Sequence, residues 1–308
     1  MSSRFNRREL FSRLGSLAAL PLLPQISPTR KAPREDTDLR PNPGSGPRFK
    51  ACKLSMVREG KDLEEKFRLL KELGYDATEL DSPNPYNSSE VLAAKKATGL
   101  RIHGTIDSVH WRHTLSDPNP EVRAKGLRAL RTALEDAHDY GATTCLLVPG
   151  VVRKDIPYDL VYERSQKEIK KVLPLAEKLG VKIAIENVWN GFLQSPLEFR
   201  NYIDEFRSPW IGAYLDIGNM RKFGWPTHWI RILGKRILKV DIKGWSFKKG
   251  FRVGILQGDI DWKACMRELG RVGYQGIITA EVGGGKKERL AAIAKDLDTL
   301  LSYAKESR

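Results

Sequence analysis

Four acidic side chains stand at corresponding places in the second half of the chain, each near the end of a short apolar segment. They are Glu186, Asp216, Asp241 and Glu281. Carboxylates packed together repel one another, so a group of four is costly unless a cation binds between them. The pattern therefore predicts a site for a divalent metal ion.

The apolar segments that precede these acids are typical of buried β-strands. Residues 183–185 read Ile-Ala-Ile before Glu186, and residues 213–215 read Ala-Tyr-Leu before Asp216. In a parallel β-barrel, side chains at the C-terminal ends of the strands meet at one mouth of the barrel. A single acid at such a place is equally well explained as a helix N-cap or as the partner of a surface arginine. Four of them in order favour a shared ion.

Strand-like and helix-like segments alternate eight times from residue 48 to the end of the 308-residue chain. This alternation predicts an α/β fold with a parallel sheet and helices outside it. One α/β barrel uses about 250 residues, so a single domain at residues 48–305 accounts for everything beyond the N-terminal extension. The predicted strands cover residues 49–57, 76–81, 101–107, 143–150, 181–188, 210–220, 236–244 and 276–283. The predicted helices cover residues 63–73, 119–140, 158–179, 196–206, 227–233, 262–272 and 287–304, and one more begins at residue 88.

The first 47 residues divide into two parts of different composition. Residues 1–25 place Arg7 and Arg8 ahead of a mild apolar run at 14–23, which resembles a twin-arginine export signal. That run is too short to span a bilayer as a helix, so no membrane contact beyond the signal is expected. Residues 26–47, rich in proline and charge, are typical of a disordered linker. We expect export to the periplasm, with a cytoplasmic protein bearing a basic N-terminus as the alternative.

The net charge of +15 raises the question of nucleic-acid binding. The first 50 residues hold ten basic and four acidic side chains, and the remaining excess is spread over helical segments without interleaved aromatic residues. This distribution favours a solvated basic surface, and we expect no nucleic-acid partner. The three cysteines are far apart in apolar contexts, so we expect neither disulfides nor a cysteine metal site. The composition leaves homo-oligomer formation open.

An ordered set of motifs resembles the xylose isomerase-like sugar phosphate isomerase/epimerase superfamily. The longest motif, residues 116–150, reads SDPNPEVRAKGLRALRTALEDAHDYGATTCLLVPG, and IAIENV, YLDIGNM, VDIKGW and LQGDIDW follow in the family's order. The resemblance implies a (β/α)8 TIM barrel, xylose isomerase-like, that binds a divalent metal through side chains from strands five to eight. Carried over to this chain, those metal ligands are Glu186, Asp216, the residue at position 241, and Glu281.

Three positions depart from the family's pattern. The family commonly has histidine where this chain has Asp241, and its frequent Asp-x-x-His motif ends here in Asn219. Its Lys-Asp pair after strand seven is Lys243-Gly244 in this chain. An all-oxygen ligand set favours Mn²⁺ or Mg²⁺ over Zn²⁺. Four carboxylates also leave a negative excess around one dication, and Lys243, on the same strand face as Asp241, is the candidate to compensate it.

The resemblance implies an isomerase or epimerase that removes a proton beside the carbonyl of a ketose or sugar phosphate and returns it elsewhere, through an enediolate. Glu186 and Glu281 are predicted to exchange that proton. The other residues predicted to contact the sugar are Glu79, His103, His110, Trp111, Asn187, Asn219, Lys243 and Trp245. If the chain is exported, a free ketose or keto-glycoside is expected, because phosphorylated sugars are scarce outside the cytoplasm.

The residues are compatible with other functions as well. A metal-dependent lyase, dehydratase or glycoside-cleaving enzyme acting on a keto-sugar would begin with the same proton removal. An exported sugar-binding barrel without full activity is motivated by the missing histidines at positions 219 and 241. The DNA-cleaving AP-endonuclease branch is disfavoured, because its multi-zinc site is rich in histidine and this chain has five. The three glycines at 283–285 could bind a phosphate, although a flexible turn explains them better.

Overall fold

A computed structural model describes residues 46–305 of the chain. The predicted export signal at residues 1–25, and the predicted linker up to residue 45, lie outside the described residues. The described part begins with Gly46 and Pro47, which are both buried. A Cβ on Gly46 would lie 2.9 Å from the Cβ of Ala304, so the chain enters the domain in close contact with its last helix.

Eight parallel strands close into a barrel in sequence order, with β1 paired to both β2 and β8. This confirms the predicted (β/α)8 barrel. The strands are β1 Phe49–Lys53, β2 Ala77–Ser82, β3 Arg101–Asp107, β4 Thr144–Leu147, β5 Lys182–Glu186, β6 Ile211–Asp216, β7 Ile237–Ile242 and β8 Ile277–Ala280.

Helices follow the strands and cover the outside of the barrel. They are α1 Leu63–Glu72, α2 Ser88–Thr98, α3 Pro120–Asp139, α4 Tyr158–Lys170, α5 Leu173–Leu179, α6 Pro196–Asp204, α7 Ile217–Arg221, α8 Pro226–Leu233, α9 Trp262–Arg271 and α10 Lys287–Lys305. Several begin where a side-chain oxygen of the preceding residue accepts a backbone hydrogen bond, as Asp62 does before α1 and Asn87 before α2. Within residues 46–305, none of the helices is both long and apolar enough to cross a membrane.

Several of the predicted elements were wrong in their extent. The strands predicted over 49–57, 143–150 and 276–283 end earlier, at Lys53, Leu147 and Ala280. The helix predicted over 158–179 is two helices, α4 and α5, because Pro174 has no backbone N–H and its ring clashes with the preceding turn. The strand predicted over 210–220 ends at Asp216, where the chain turns into the short helix α7. The side chain of Asp216 accepts a hydrogen bond from the backbone N–H of Asn219 at 2.8 Å and so starts that helix.

The three cysteines are buried and unpaired, and they occupy the core as small side chains. Cys52 and Cys145 lie in β1 and β4, and Cys265 lies in α9. Burial raises the pKa of each thiol, so these side chains stay protonated and inert at neutral pH.

Candidate metal centre and active site

Four carboxylates from four adjacent strands meet at the C-terminal mouth of the barrel. Glu186 and Asp216 end β5 and β6, Asp241 lies in β7 directly opposite Asp216, and Glu281 follows β8. One oxygen from each lies within 4.8 Å of the others. Asp216 and Asp241 are fully buried, whereas the Glu281 side chain is 31% exposed. We call these four residues the carboxylate centre.

Two lysines are paired with the carboxylate centre. Lys53, the last residue of β1, places its Nζ 2.9 Å from Asp241 Oδ2 and contacts Glu281. Lys243, just after β7, places its Nζ 2.8 Å from Asp216 Oδ2 and also contacts Glu281. When all four carboxylates are ionised, the two ammonium groups beside them leave two negative charges in excess. One divalent cation would bring the group to neutrality.

Three oxygens of the carboxylate centre are buried without a directed hydrogen bond. They are Oδ2 of Asp216 and both Oδ1 and Oδ2 of Asp241. The lysines lie within ion-pair distance of two of these atoms, but not in hydrogen-bond geometry. Buried polar atoms without partners are rare, and here they point to a ligand that is not part of the chain. All donors are oxygens, which is the set that hard divalent cations prefer, so the residues fit a metal ion.

The four carboxylates differ in their affinity for protons. Burial raises the pKa of Asp216 to about 7 and of Asp241 to about 6, and it raises the pKa of Glu186 well above its ordinary value. Burial would also raise the pKa of Glu281, but Lys53 and Lys243 outweigh it and lower this pKa to about 2. One carboxylate is therefore held ionised, and the other three ionise at a cost that a cation would offset.

A pocket of about 490 Å³ opens beside the carboxylate centre. Of the residues predicted from sequence, six line it: His110, Trp111, Glu186, Asn219, Lys243 and Glu281. The same wall contains residues that the sequence reasoning missed, above all Lys53, Trp189 and Phe251. A larger surface groove of about 980 Å³ runs along α4, but none of the four carboxylates lines it. The chemistry of the chain is concentrated at the barrel mouth.

Comparison with known proteins identifies the fold family. The model of the xylose isomerase-like TIM barrel family matches residues 67–303, more than half of the chain. The chain belongs to that family. The resemblance inferred from the ordered strand-end motifs is thereby confirmed.

Relatives and structures similar to this family member include several sugar epimerases. L-ribulose-5-phosphate 3-epimerase UlaE of Escherichia coli O1:K1 is 26% identical over 255 residues, which are 76% of this chain and 87% of UlaE. The structure of a D-tagatose 3-epimerase-like protein superposes with a TM-score of 0.73 at 18% identity, covering 84% of this chain and 99% of that one. The structure of 3-keto-D-glucoside 4-epimerase YcjR from E. coli superposes with a TM-score of 0.69 at 19% identity, covering 83% of this chain and 100% of YcjR.

Two glycines explain how this family member departs from the usual Lys-Asp pair after strand seven. A Cβ on Gly218 would lie 2.4 Å from Cγ of Lys243, so the absence of a side chain there lets Lys243 lie across α7 toward Asp216. A Cβ on Gly244 would lie 2.1 Å from the carbonyl oxygen of Gly254. The loop after β7 therefore passes directly over position 244, which leaves no room for an aspartate.

Asn187 and Asn219 build a hydrogen-bonded frame around Asp216. The Asn187 side chain donates to the carbonyl oxygen of Asp216 and accepts from its backbone N–H, both at 3.0 Å. The Asn219 side chain donates to the Asn187 carbonyl oxygen at 2.8 Å. Asn219 also lines the pocket, whereas Asn187 is buried behind it. Asn187 was predicted to contact the substrate, and the structure places it where it orients a metal-ligand candidate instead.

The two histidines predicted at the site occupy different depths. His110 lines the pocket, and its Nδ1 accepts a hydrogen bond from the backbone N–H of Val148 at 3.4 Å. Burial lowers the pKa of His110 to about 3, so the ring is neutral and carries its proton on Nε2. His103 lies below the pocket, with its Nε2 3.3 Å from the hydroxyl of Thr279. Burial also lowers the pKa of His103 well below its ordinary value.

A second group of polar side chains is buried inside the barrel beneath the pocket. It consists of Glu79, His103, Tyr214, Lys239 and Thr279, which we call the buried polar layer. Tyr214 donates its hydroxyl proton to Glu79 Oε2 at 2.8 Å, and Glu79 Oε1 lies 3.6 Å from His103 Nδ1. The carboxylate of Glu79 fits there because residue 104 is glycine, where a Cβ would lie 2.5 Å from it. No member of this layer lines the pocket.

Trp245 differs from its predicted role, whereas the glycine run at 283–285 lies in the connection between β8 and α10, as the favoured turn interpretation predicts. Trp245 is 5% exposed and packs edge-on against Trp189 and Phe247, so it supports the pocket wall rather than forming it. The backbone N–H of Gly285 donates to the carbonyl oxygen of Met56 at 3.0 Å. A Cβ on Gly284 would lie 2.0 Å from that same oxygen. Close backbone contact with the segment after β1 explains this run, and the amide of Gly285 is not available to a phosphate.

Proposed function

We propose that this chain is a metal-dependent epimerase or isomerase of a keto-sugar. The observation that carries the proposal is the carboxylate centre, in which four acids converge beside an open pocket and three buried oxygens lack a directed hydrogen bond. The UlaE relative, whose name describes a sugar 3-epimerase, supports the same reaction class. The donor set favours Mn²⁺ or Mg²⁺ as the ion, because it contains carboxylate oxygens and no imidazole or thiolate.

The reaction removes a proton from a carbon next to a carbonyl and returns a proton to the other face or to the neighbouring carbon. A bound dication would polarise the carbonyl and the adjacent hydroxyl and so acidify that carbon. Glu186 is suited to take the proton, because burial raises its pKa and makes its protonated form stable. Glu281 is the second carboxylate in reach. Because Lys53 and Lys243 lower its pKa, it is the weaker base of the two.

Other residues of the pocket wall are suited to position the sugar. The neutral ring of His110 can donate its Nε2 proton to a substrate oxygen. Trp111 is 49% exposed at the pocket and held edge-on against His110 at 5.4 Å between ring centroids. Its indole offers an apolar face to the carbon-bound hydrogens of a sugar ring.

The substrate we propose is an unphosphorylated ketose or keto-glycoside. Of the described residues that line the pocket, two are lysine or arginine, Lys53 and Lys243, and both are paired with carboxylates. A phosphate would find no available cation there. We also propose that residues 1–25 direct export. Fusing them to a reporter that fluoresces only after twin-arginine export would test this, and replacing Arg7 and Arg8 with lysine should retain the reporter in the cytoplasm.

The test of function is proton exchange followed by NMR in D₂O. Purified protein with Mn²⁺ or Mg²⁺ is incubated with a panel of free ketopentoses, ketohexoses and 3-keto-glucosides, and with ribulose 5-phosphate. We expect deuterium at the carbon beside the carbonyl, together with the epimer or isomer. A product with a new double bond or a released aglycone would assign a lyase instead. No exchange with any sugar, by protein shown to hold its metal, would contradict the proposal.

A further inference from the structure

Exposed aromatic side chains are concentrated at the mouth of the barrel. Trp189, Trp225, Phe247 and Phe251 are each at least 39% exposed, and all four lie in the loops that follow β5, β6 and β7. Soluble proteins rarely leave large apolar side chains clustered in water, and such a cluster marks a binding surface. Together with Phe223 and the buried Trp245, these side chains form what we call the aromatic platform.

The aromatic platform is continuous with the proposed active-site pocket. Trp189 and Phe251 line the pocket together with Glu186 and Glu281. Their ring centroids are 4.7 Å apart and their planes are tilted by 35°. Farther out, the Arg221 guanidinium lies 4.5 Å from the ring centre of Trp225 and 4.6 Å from that of Phe247. Trp245, buried beneath, contacts both Trp189 and Phe247, so one connected set of aromatic and guanidinium groups leads from the pocket to solvent.

Hydrogen bonds hold the platform in place. The indole N–H of Trp189 donates to the carbonyl oxygen of Asn219 at 3.0 Å. The backbone N–H of Phe247 donates to the Asp259 side chain at 2.7 Å, and Arg221 Nε donates to the Asp259 carbonyl oxygen at 2.6 Å. A surface fixed in this way loses little conformational entropy when a ligand binds.

The chemistry of the platform matches a sugar ring. Carbon-bound hydrogens on one face of a pyranose pack against aromatic faces, and aromatic contacts of this kind add to the energy of burial. The basic groups of the platform, Arg221 and Lys222, already lie over its own rings. The pocket of about 490 Å³ is of the size that holds drug-sized ligands, larger than one sugar needs.

We propose that the aromatic platform is a binding subsite for a second pyranose ring, so that the substrate is a keto-glycoside of at least two rings. This rests on the proposed function, because the keto-sugar ring would occupy the pocket at the carboxylate centre. A second recess, of about 320 Å³, adjoins the pocket. The two share Asp81 and Ser108 in their walls, and the recess extends to Tyr86. None of the strongly exposed aromatic side chains lines this recess, so we assign the second ring to the platform.

Binding tests the subsite without requiring turnover. Calorimetric titration of the Mn²⁺-loaded protein with cellobiose and with methyl β-glucoside compares two rings with one. We expect cellobiose to bind about tenfold more tightly, and Phe247→Ala and Trp225→Ala to remove that advantage. Leu197→Ala changes an exposed leucine on α6 that is not part of the aromatic platform, and it is the matched control. Equal affinities for the two sugars, or loss of the advantage in Tyr86→Ala instead, would overturn the subsite.

Turnover separates the subsite from the function on which it rests. With the 3-keto derivatives of the same two sugars, the ratio of kcat/KM for two rings to that for one should fall about tenfold in Phe247→Ala. If cellobiose binds as expected but neither keto-sugar exchanges its proton, the subsite stands and the epimerase proposal fails. Analytical ultracentrifugation tests whether a second copy of the chain covers the platform instead of a sugar. A wild-type dimer that Phe247→Glu converts to a monomer would show that a second copy covers the platform, and would overturn the proposal.

Discussion

The barrel holds two groups of buried ionisable side chains, one above the other, and they differ in charge and access. The carboxylate centre consists of four acids, with two lysines and an open pocket beside it, and three of its oxygens lack a directed hydrogen bond. The buried polar layer has one acid, Glu79, and one lysine, Lys239, and no member of it lines the pocket. Its two side-chain atoms without hydrogen bonds, Glu79 Oε1 and His103 Nδ1, lie 3.6 Å from each other.

The difference shows which features distinguish a metal centre from a polar core. Burial and shifted pKa values occur in both groups, so neither feature alone marks a functional site. The carboxylate centre is distinguished by uncompensated negative charge and by access from solvent.

The largest effect is expected from Glu186→Gln, which removes the proposed base with little change in shape. Proton exchange in D₂O should fall by at least about a thousandfold, because general base catalysis is lost. The control is Glu72→Gln, which alters a surface glutamate that is 55% exposed at the end of α1. Exchange by Glu186→Gln at the wild-type rate would remove this residue from the mechanism.

Lys53→Met removes one of the two cations of the carboxylate centre while keeping most of the side-chain volume. Breaking a buried ion pair leaves its partners uncompensated, so metal-free protein should lose roughly 3 kcal/mol of stability. Added Mn²⁺ should then raise Tm by more than it does in the wild type, since the negative excess has grown. Lys239→Met in the buried polar layer should lower Tm without altering the Mn²⁺ response. If Mn²⁺ raises Tm equally in Lys53→Met and in the wild type, Lys53 does not offset the negative charge of the carboxylate centre.

The stabilisation by Mn²⁺ should increase as pH rises from 5 to 8. Folding raises the pKa values of Asp216 and Asp241 to about 7 and about 6, above their unfolded values. A group whose pKa is raised on folding stabilises the folded state at low pH. This stability is lost as the pH rises through the pKa that the group has in the folded state. Glu281, with its pKa lowered to about 2, contributes stability throughout this window. Metal-free protein should therefore lose stability between pH 5 and 8, while bound Mn²⁺ offsets the loss.

Thermal unfolding with Mn²⁺ or with EDTA at four pH values measures this directly. Asp241→Asn should make the stability of the metal-free protein depend less on pH, because it removes one of the carboxylates whose pKa is raised on folding. A difference between the Mn²⁺ and EDTA curves that stays constant from pH 5 to 8 would mean that these carboxylates are not the metal ligands.

The smallest effect is expected from Glu79→Gln in the buried polar layer. Burial raises the pKa of Glu79 to about 8, so its protonated form predominates at pH 7 and the amide replaces it with little loss. Mn²⁺ affinity and kcat/KM should stay within about twofold of the wild type. A loss of metal or activity comparable with that in Glu186→Gln would show that the two groups act as one site.

The fold and the convergence of the four acids were predictable, because both follow from periodic patterns. Eight alternations of strand and helix predict the barrel, and each acid follows a buried strand whose C-terminal end faces the same mouth. Lys243 was predictable too, since alternation along β7 places it on the face of Asp241. The division of residues 158–179 into two helices could have been read from Pro174.

Lys53 and the aromatic platform were not predictable, because their roles depend on where loops and neighbouring strands bring them. A single lysine at the end of β1 has the same local sequence whether it reaches solvent or Asp241. Trp189 and Phe251 are 62 residues apart in sequence and meet at 4.7 Å because two loops cross the mouth. His103 and His110 are likewise distinguished by depth in the barrel, which no local pattern records.

Metal content tests the central claim most directly. Protein stripped with EDTA is dialysed against a small excess of Mn²⁺, and bound metal is measured by atomic emission for the wild type and for Asp216→Asn and Glu79→Gln. The convergence of Glu186, Asp216, Asp241 and Glu281 predicts one ion per chain in the wild type and Glu79→Gln, and strong loss in Asp216→Asn. Wild-type protein that retains no metal, or Asp216→Asn that retains a full complement, would contradict the account.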